Sequence, residues 1–318
     1  MEPHLIAYIY IIVGISLILG GANYLTDGAS ALAKRFYISE FVIGLTIVAL
    51  GTSLPEMVVS FVSAVKGNPD IAIGNVVGSN SFNTLVIVGL CALLSPMNLT
   101  KKSVKRDIPM GIGVSAILFV ATFGGVINRL EGLIMFALYI FMIYYSVRSS
   151  RQKPLAEESA TEHEQPTHKH SLTTSILLTG GGLVALVVGG QIFIDSAVLI
   201  ANHHAIPQNI IAITLVAGAT SLPELAASLI SLLKGKSDIA LGNIIGSNIA
   251  NILLVLGASA TFTPLTMTTI SMLDIAFILS SSIMLWIAAI IPPQNKISRP
   301  TAILFIIIYT IYLYTSIK

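Results

Sequence analysis

The sequence predicts an all-α membrane protein: ten transmembrane helices forming two inverted five-helix repeats, N-out and C-out, with helices 2 and 7 broken. Three observations predict it. Of 318 residues, 54% are hydrophobic and 10% charged, where an ordinary soluble domain carries about 25% charged residues, and mean hydropathy is +0.87. Apolar runs of Leu, Ile, Val, Ala and Gly recur along the whole chain, and one long stretch occurs twice without a gap. Seventeen Lys+Arg and 15 Asp+Glu cannot cover the surface of a water-exposed globule, and a disordered chain fails on the same composition. The single cysteine, Cys91, excludes an internal disulfide. A net charge of +2 argues against nucleic acid as a partner.

A helix needs about 20 mostly apolar residues to cross the hydrocarbon core. Ten runs qualify, at 5–25, 40–65, 71–94, 108–127, 130–148, 173–200, 209–233, 239–261, 272–291 and 301–316. They are continuous, whereas the strands of a membrane barrel alternate apolar and polar residues. No basic residue precedes the first run, so it reads as a span and not as a cleaved signal peptide. The polar stretch 149–172 reads as a solvated cytoplasmic linker between the repeats 1–148 and 173–318; its His163, His168 and His170, like His203 and His204, read as loop residues. With the N-terminus outside, the inside connections hold 14 of the 17 Lys and Arg and the outside holds 3, as the positive-inside rule requires.

Residues 44–89 align on 212–257 at a constant offset of 168, with 23 of 46 pairs identical. The same offset pairs Asp27 with Asp195 and Gly21 with Gly189. Five helices is an odd number, so the two copies run in opposite directions through the membrane. Such inverted repeats recur in secondary transporters, with the site near the midplane where the repeats meet.

The shared polar residues are Thr52, Ser53, Glu56, Asn75, Ser79, Asn80 and Asn83, paired with Thr220, Ser221, Glu224, Asn243, Ser247, Asn248 and Asn251. Glu56 and Glu224 fall mid-span, where a charged side chain costs about 2.5–3.5 kcal/mol on insertion scales. Two such carboxylates facing each other repel when empty, and a cation between them removes both penalties. Ca²⁺ matches them in charge and takes six to eight oxygens at about 2.3–2.6 Å. The structural alternative is a protonated Glu hydrogen-bonded between helices. Pro55 and Pro223 lack an N–H and clash with the carbonyls of Gly51 and Ala219, so each helix should kink or break and release carbonyls; at that depth these must line a cavity or ligate something. Asn75, Ser79 and Asn83 recur every four residues and form one stripe, expected to face the glutamates, with Asn243, Ser247 and Asn251 as its counterpart. Asn80 falls off the stripe and could cap or bridge helices. Gly74/Gly78 and Gly242/Gly246 have the spacing of close helix packing. Asp27 and Asp195 read as helix-end or interhelical hydrogen bonds, and Lys66–Gly67 with Asp70, like Lys234–Gly235 with Asp238, as turns capping the next helix. No Cys/His cluster exists for zinc.

At TSLPE and GNxxGSN, each present twice in inverted halves, the sequence resembles the calcium/cation antiporter superfamily, and more narrowly its sodium/calcium exchanger family of the short prokaryotic type. The resemblance covers essentially the whole chain. It implies a multi-pass protein of the prokaryotic plasma or inner membrane that exchanges Na⁺ for Ca²⁺, with no cofactor, no enzymatic activity and no obligate protein partner. It carries Ca²⁺ and Na⁺ binding to Glu56 and Glu224, ion ligation to Thr52, Ser53, Thr220, Ser221, Ser79 and Ser247, and Na⁺-lining carbonyls to Ala49 and Ala217. At the last place of the GSNxxN stretch some relatives carry Asp in the second repeat, where this chain has Asn251 (Asn83 in the first); Asp there accompanies potassium-dependent members and some archaeal ones, so Asn251 argues against potassium dependence. A Ca²⁺/H⁺ exchanger of the same superfamily is the nearest rival. A cation channel would show uncoupled flux, and an intramembrane enzyme would need a nucleophile or metal-bound water that the repeats do not offer.

Overall fold

The computed structural model describes residues 3–150, 171–204, 220–292 and 294–317. Most of the expected linker, with its three histidines, lies outside the described residues, as do Ala217 and the first part of the seventh run. Eleven helices are described: α1 Pro3–Arg35, α2 Glu40–Thr52, α3 Leu54–Val65, α4 Pro69–Leu94, α5 Ile108–Ala121, α6 Arg129–Ser150, α7 Leu172–His203, α8 Leu222–Leu233, α9 Ser237–Phe262, α10 Met272–Ile290 and α11 Arg299–Ile317. Among the described residues seven helices are long and apolar enough to cross a membrane, and the bent pair α2–α3 makes an eighth. This is an all-α membrane protein.

The expected spans locate the helices but underestimate two of them. Helix α1 has 33 residues and α7 has 32, longer than the hydrocarbon core requires, because hydropathy marks where lipid begins and not where backbone hydrogen bonding stops. His203 therefore ends α7, not a loop. The two long helices run antiparallel against each other, and glycines set the contact. Cβ atoms at Gly14, Gly21 and Gly28 would sit 2.9, 2.8 and 2.6 Å from backbone atoms of Gly189, Gly182 and Thr179. The seven-residue recurrence on both helices keeps the bare strip on the seam, as a heptad does in a left-handed supercoil, and the absence of side chains lets the backbones touch.

Helices α4 and α9 carry the second repeated motif and occupy the centre. Here α9 presses on α2, with a Cβ at Gly246 falling 2.5 Å from the Leu45 carbonyl oxygen. Helix α6 packs on the C-terminal part of α9, and α11 on that of α4, so each repeat's last helix covers the other repeat's motif helix. Two short antiparallel ladders repeat the exchange. β1 (Met97–Asn98) pairs with β4 (Lys296–Ile297), and β2 (Val126–Ile127) with β3 (Leu265–Thr266). Gly67 (φ +81°) and Gly235 (φ +73°) end the α3 and α8 arms in the left-handed region that favours glycine.

Candidate ion-binding site

The site is built where α2–α3 breaks and where α8 begins. The break falls at Ser53 (φ −83°, ψ 8°), and Ser221 (φ −88°, ψ 7°) precedes α8 in the same conformation. Helices α2 and α3 meet at a 49° bend. Proline was expected to clash from inside a helix. Instead Pro55 and Pro223 lie in the first turn of the helix that follows the break, where a missing N–H leaves nothing unpaired. Each glutamate thus belongs to the first turn of its helix, the end whose partial positive charge favours an anion.

Glu56 and Glu224 are fully buried and lie close enough for their charges to act on each other. The serines of the break cross between repeats. Ser53 Oγ donates to Glu224 Oε1 at 3.1 Å, and Ser221 Oγ donates to Glu56 Oε1 at 3.4 Å. The Thr220 hydroxyl also lies beside Glu56, and those of Thr52 and Ser247 beside Glu224. Thr52 Oγ1 is 3.1 Å from Asn243 Oδ1, 3.3 Å from the Ala49 carbonyl oxygen and 3.5 Å from Ser247 Oγ. The Ala49 carbonyl accepts the Ser53 N–H at 3.0 Å as well.

Asn75 and Asn243 brace the two arms in the same way. Each amide donates to the carbonyl of its own repeat's glutamate at 3.2 Å and to Ser60 Oγ or Ser228 Oγ at 2.9 Å. The two serines were missed as site residues, although they are identical at the repeat offset and stand four residues after each glutamate. Asn83 and Asn251 fall in π-helical turns, Phe82–Ile87 and Ala250–Leu256, a deformation frequent at functional sites. Asn80 bridges helices: its amide donates to the Asn248 carbonyl at 3.1 Å and its own oxygen accepts from Asn251 at 3.1 Å, while Asn248 donates to Thr84 Oγ1 at 2.8 Å.

Among the described residues, Glu56 Oε2, Glu224 Oε2, Ser79 Oγ, Asn83 Oδ1, Asn251 Oδ1 and Thr220 Oγ1 are buried without a hydrogen-bond partner. The ion pairs found there lie elsewhere and leave both glutamates without a basic partner. Buried polar atoms are normally satisfied; apart from the amide nitrogen of Asn83, which is unpaired as well, these spare atoms are oxygens, two of them on carboxylates and none on a Cys or His ligand, a set that suits Ca²⁺ or Na⁺ and not zinc. Asp27 and Asp195 stand apart from it. Asp27 makes an interhelical ion pair with Lys234, 2.7 Å, and Asp195 accepts from Gln191 on its own helix.

Repeated helical segments that meet at a buried acidic pair, among seven or eight helices long and apolar enough to span a membrane, define a multi-pass membrane protein. The family described as sodium/calcium exchanger protein matches residues 6–148 and 174–318. The chain is 40% identical over 264 residues to the putative antiporter CaxA of Alkalimonas amylolytica, covering 82% of each. It is 33% identical over 300 residues to the sodium/calcium exchanger MaX1 of Methanosarcina acetivorans, covering 83% of this chain and 85% of that one. In structure it matches the sodium-calcium exchanger NCX_Mj at a TM-score of 0.85 and 30% identity, over 98% of this chain and 99% of that one. The chain belongs to the sodium/calcium exchanger family.

Proposed function

We propose that the protein is a secondary active antiporter that exchanges Na⁺ for Ca²⁺ by alternating access at the Glu56–Glu224 site. The observation that carries this reading is the carboxylate pair, contributed by opposed repeats, fully buried and with one oxygen of each lacking a partner. Emptied, the pair is two uncompensated charges in a low-dielectric site, and crossing between outward- and inward-open states is disfavoured. Ca²⁺ neutralises it, as several Na⁺ do, so only a loaded site crosses. Thr52, Ser53, Ser79, Asn83 and Asn75, with Thr220, Ser221, Ser247, Asn251 and Asn243, supply the neutral oxygens, and the carbonyls of Ala49 and Ala217 serve Na⁺.

The ten-span reading supports opposed orientations. It adds to the long helices the bent α2–α3 pair, α5, and a seventh span of which α8 is the described part. The ladders β1–β4 and β2–β3 join connections that this reading places on one face each, and the Lys and Arg count makes the β1–β4 face cytoplasmic.

The test is Ca²⁺ uptake into proteoliposomes under imposed gradients. A Na⁺ gradient is expected to drive ⁴⁵Ca²⁺ movement, and Glu56→Gln or Glu224→Gln to reduce it to the level of protein-free vesicles. Uptake driven by a pH gradient in the absence of Na⁺ would transfer the coupling to protons. Normal flux in either variant would refute the paired-carboxylate site.

A further inference from the structure

The repeat places the same ion pair at two symmetry-related positions, and only one of the two is closed. At the α8–α9 turn Lys234 Nζ reaches α1, lying 2.7 Å from Asp27 Oδ1 and 2.9 Å from the Asn23 carbonyl oxygen. Thr26 Oγ1 and Ser231 Oγ are 2.9 Å apart beside it, and α1 packs along α8. The offset of 168 carries Asp27 to Asp195 and Lys234 to Lys66, so the opposite face holds the same two residues on the equivalent elements, α7 and the α3–α4 turn. There Lys66 is exposed and without a partner among the described residues. Asp195, also exposed, accepts from Gln191 of its own helix at 2.8 Å, and α7 makes no comparable contact with α3.

In an inverted-repeat transporter the two access states are related by an exchange of conformations between the halves. We propose that Asp27–Lys234 and Lys66–Asp195 are alternating latches: the first holds the Lys234 face shut in the state seen here, and the second forms, as the first breaks, when the opposite face closes. This rests on the alternating-access reading given above. The latches are unequal. Lys236 Nζ adds a second pin to Glu40 Oε1 at 2.6 Å, which Ser30 Oγ joins at 2.5 Å, while the mates of Lys236 and Glu40 are the neutral Asn68 and Gln208. The state closed on the Lys234 face is therefore the resting one.

The only cysteine, Cys91, is buried, so a Cys91→Ala background permits a direct test in membrane vesicles. One variant carries Asp27→Cys with Lys234→Cys, another Lys66→Cys with Asp195→Cys, and a third all four. With a short reducible crosslinker, each pair is expected to crosslink and to halt exchange until reduced, and the third variant to hold one crosslink per chain but never both. Adding Asp27→Asn or Lys234→Gln to the Lys66/Asp195 cysteine pair should speed its crosslinking about twofold to fivefold over the same pair with a native first latch, the weight of one partly exposed ion pair. Both crosslinks in one chain, or no Lys66/Asp195 crosslink in vesicles that exchange at full rate, would overturn the latches. Failure of the exchange reading itself would appear separately, as undiminished flux in Glu56→Gln.

Discussion

The two repeats carry nearly the same motif and bury it differently. Asn243 is fully buried and Asn75 only partly. Pro223 is buried where Pro55 is partly exposed. Thr52 meets Asn243 across the repeat boundary at 3.1 Å, whereas the mate contact, Thr220 to Asn75, is not made among the described residues. Ser53 lies nearer Glu224 than Ser221 does to Glu56. Identical residues thus occupy non-equivalent environments, and the difference has a direction. The contacts involving α9 and the face of Lys234 are closed, and those involving α4 and the face of Lys66 are looser. A symmetric sequence in an asymmetric structure is what a molecule caught in one of two related states requires, since each half must be able to take up the other's conformation.

The largest effect is expected where the closed side is tightest. A Cβ at Gly242 would collide with the carbonyl oxygen of Phe41 and lie 3.0 Å from the Leu45 nitrogen, and backbone cannot swing aside as a side chain can. Gly242→Ala should therefore destabilise by about 3 kcal/mol, the upper end for overpacking. Gly181→Ala, with nothing within 4 Å of its added carbon, should leave thermal unfolding in detergent unchanged. Equal midpoints for the two would mean that the α9–α2 crossing yields easily.

Next come the two bracing asparagines. Asn243→Ala removes both amide bonds of the brace and the acceptor of Thr52, all in a buried setting; leaving those partners unsatisfied should cost about 1–3 kcal/mol. Asn75→Ala removes the same brace from a partly exposed position where water replaces it, and about 0.5–1.5 kcal/mol is expected. Thermal unfolding without Ca²⁺ compares them, and a larger loss at Asn75 would reverse the assignment of the closed side.

Legibility in the sequence followed the physics of each feature. The buried glutamates were readable because a charge at mid-depth is rare and needs a reason, and the repeat because identity at one offset requires no structural knowledge. The break was expected from Pro55 and Pro223, yet its position two residues earlier was not, because proline is as well placed in a first turn as it is badly placed inside a helix. The seam of Gly14, Gly21 and Gly28 against Gly182 and Gly189 was invisible: within one repeat these are scattered glycines, and only antiparallel contact between the repeats makes them a strip. Ser60 and Ser228 passed unnoticed because serine in a membrane helix can bond its own backbone, and only the neighbouring Asn75 and Asn243 reveal the brace. The end of α1 was misjudged by ten residues since Asp27, Lys34 and Arg35 lower hydropathy without ending a helix.

The smallest effect separates stability from ion binding most cleanly. Thr52 and Thr220 are repeat mates beside the two carboxylates, but Thr52 Oγ1 has three oxygen neighbours within 3.5 Å while Thr220 Oγ1 has no hydrogen-bond partner among the described residues. Valine keeps the shape and removes the hydroxyl. Thr52→Val should lower ion-free stability by about 1 kcal/mol, one net hydrogen bond. Thr220→Val should stay within about 0.5 kcal/mol of the parent, because there is no bond to lose. Both should then gain less from added Ca²⁺, since stabilisation by a ligand scales with the logarithm of its concentration over its dissociation constant and each hydroxyl is an oxygen offered to the ion. If Thr220→Val instead lost as much ion-free stability as Thr52→Val while keeping its full response to Ca²⁺, the spare hydroxyl would be part of the scaffold, and the contrast between the repeats would be one of packing alone.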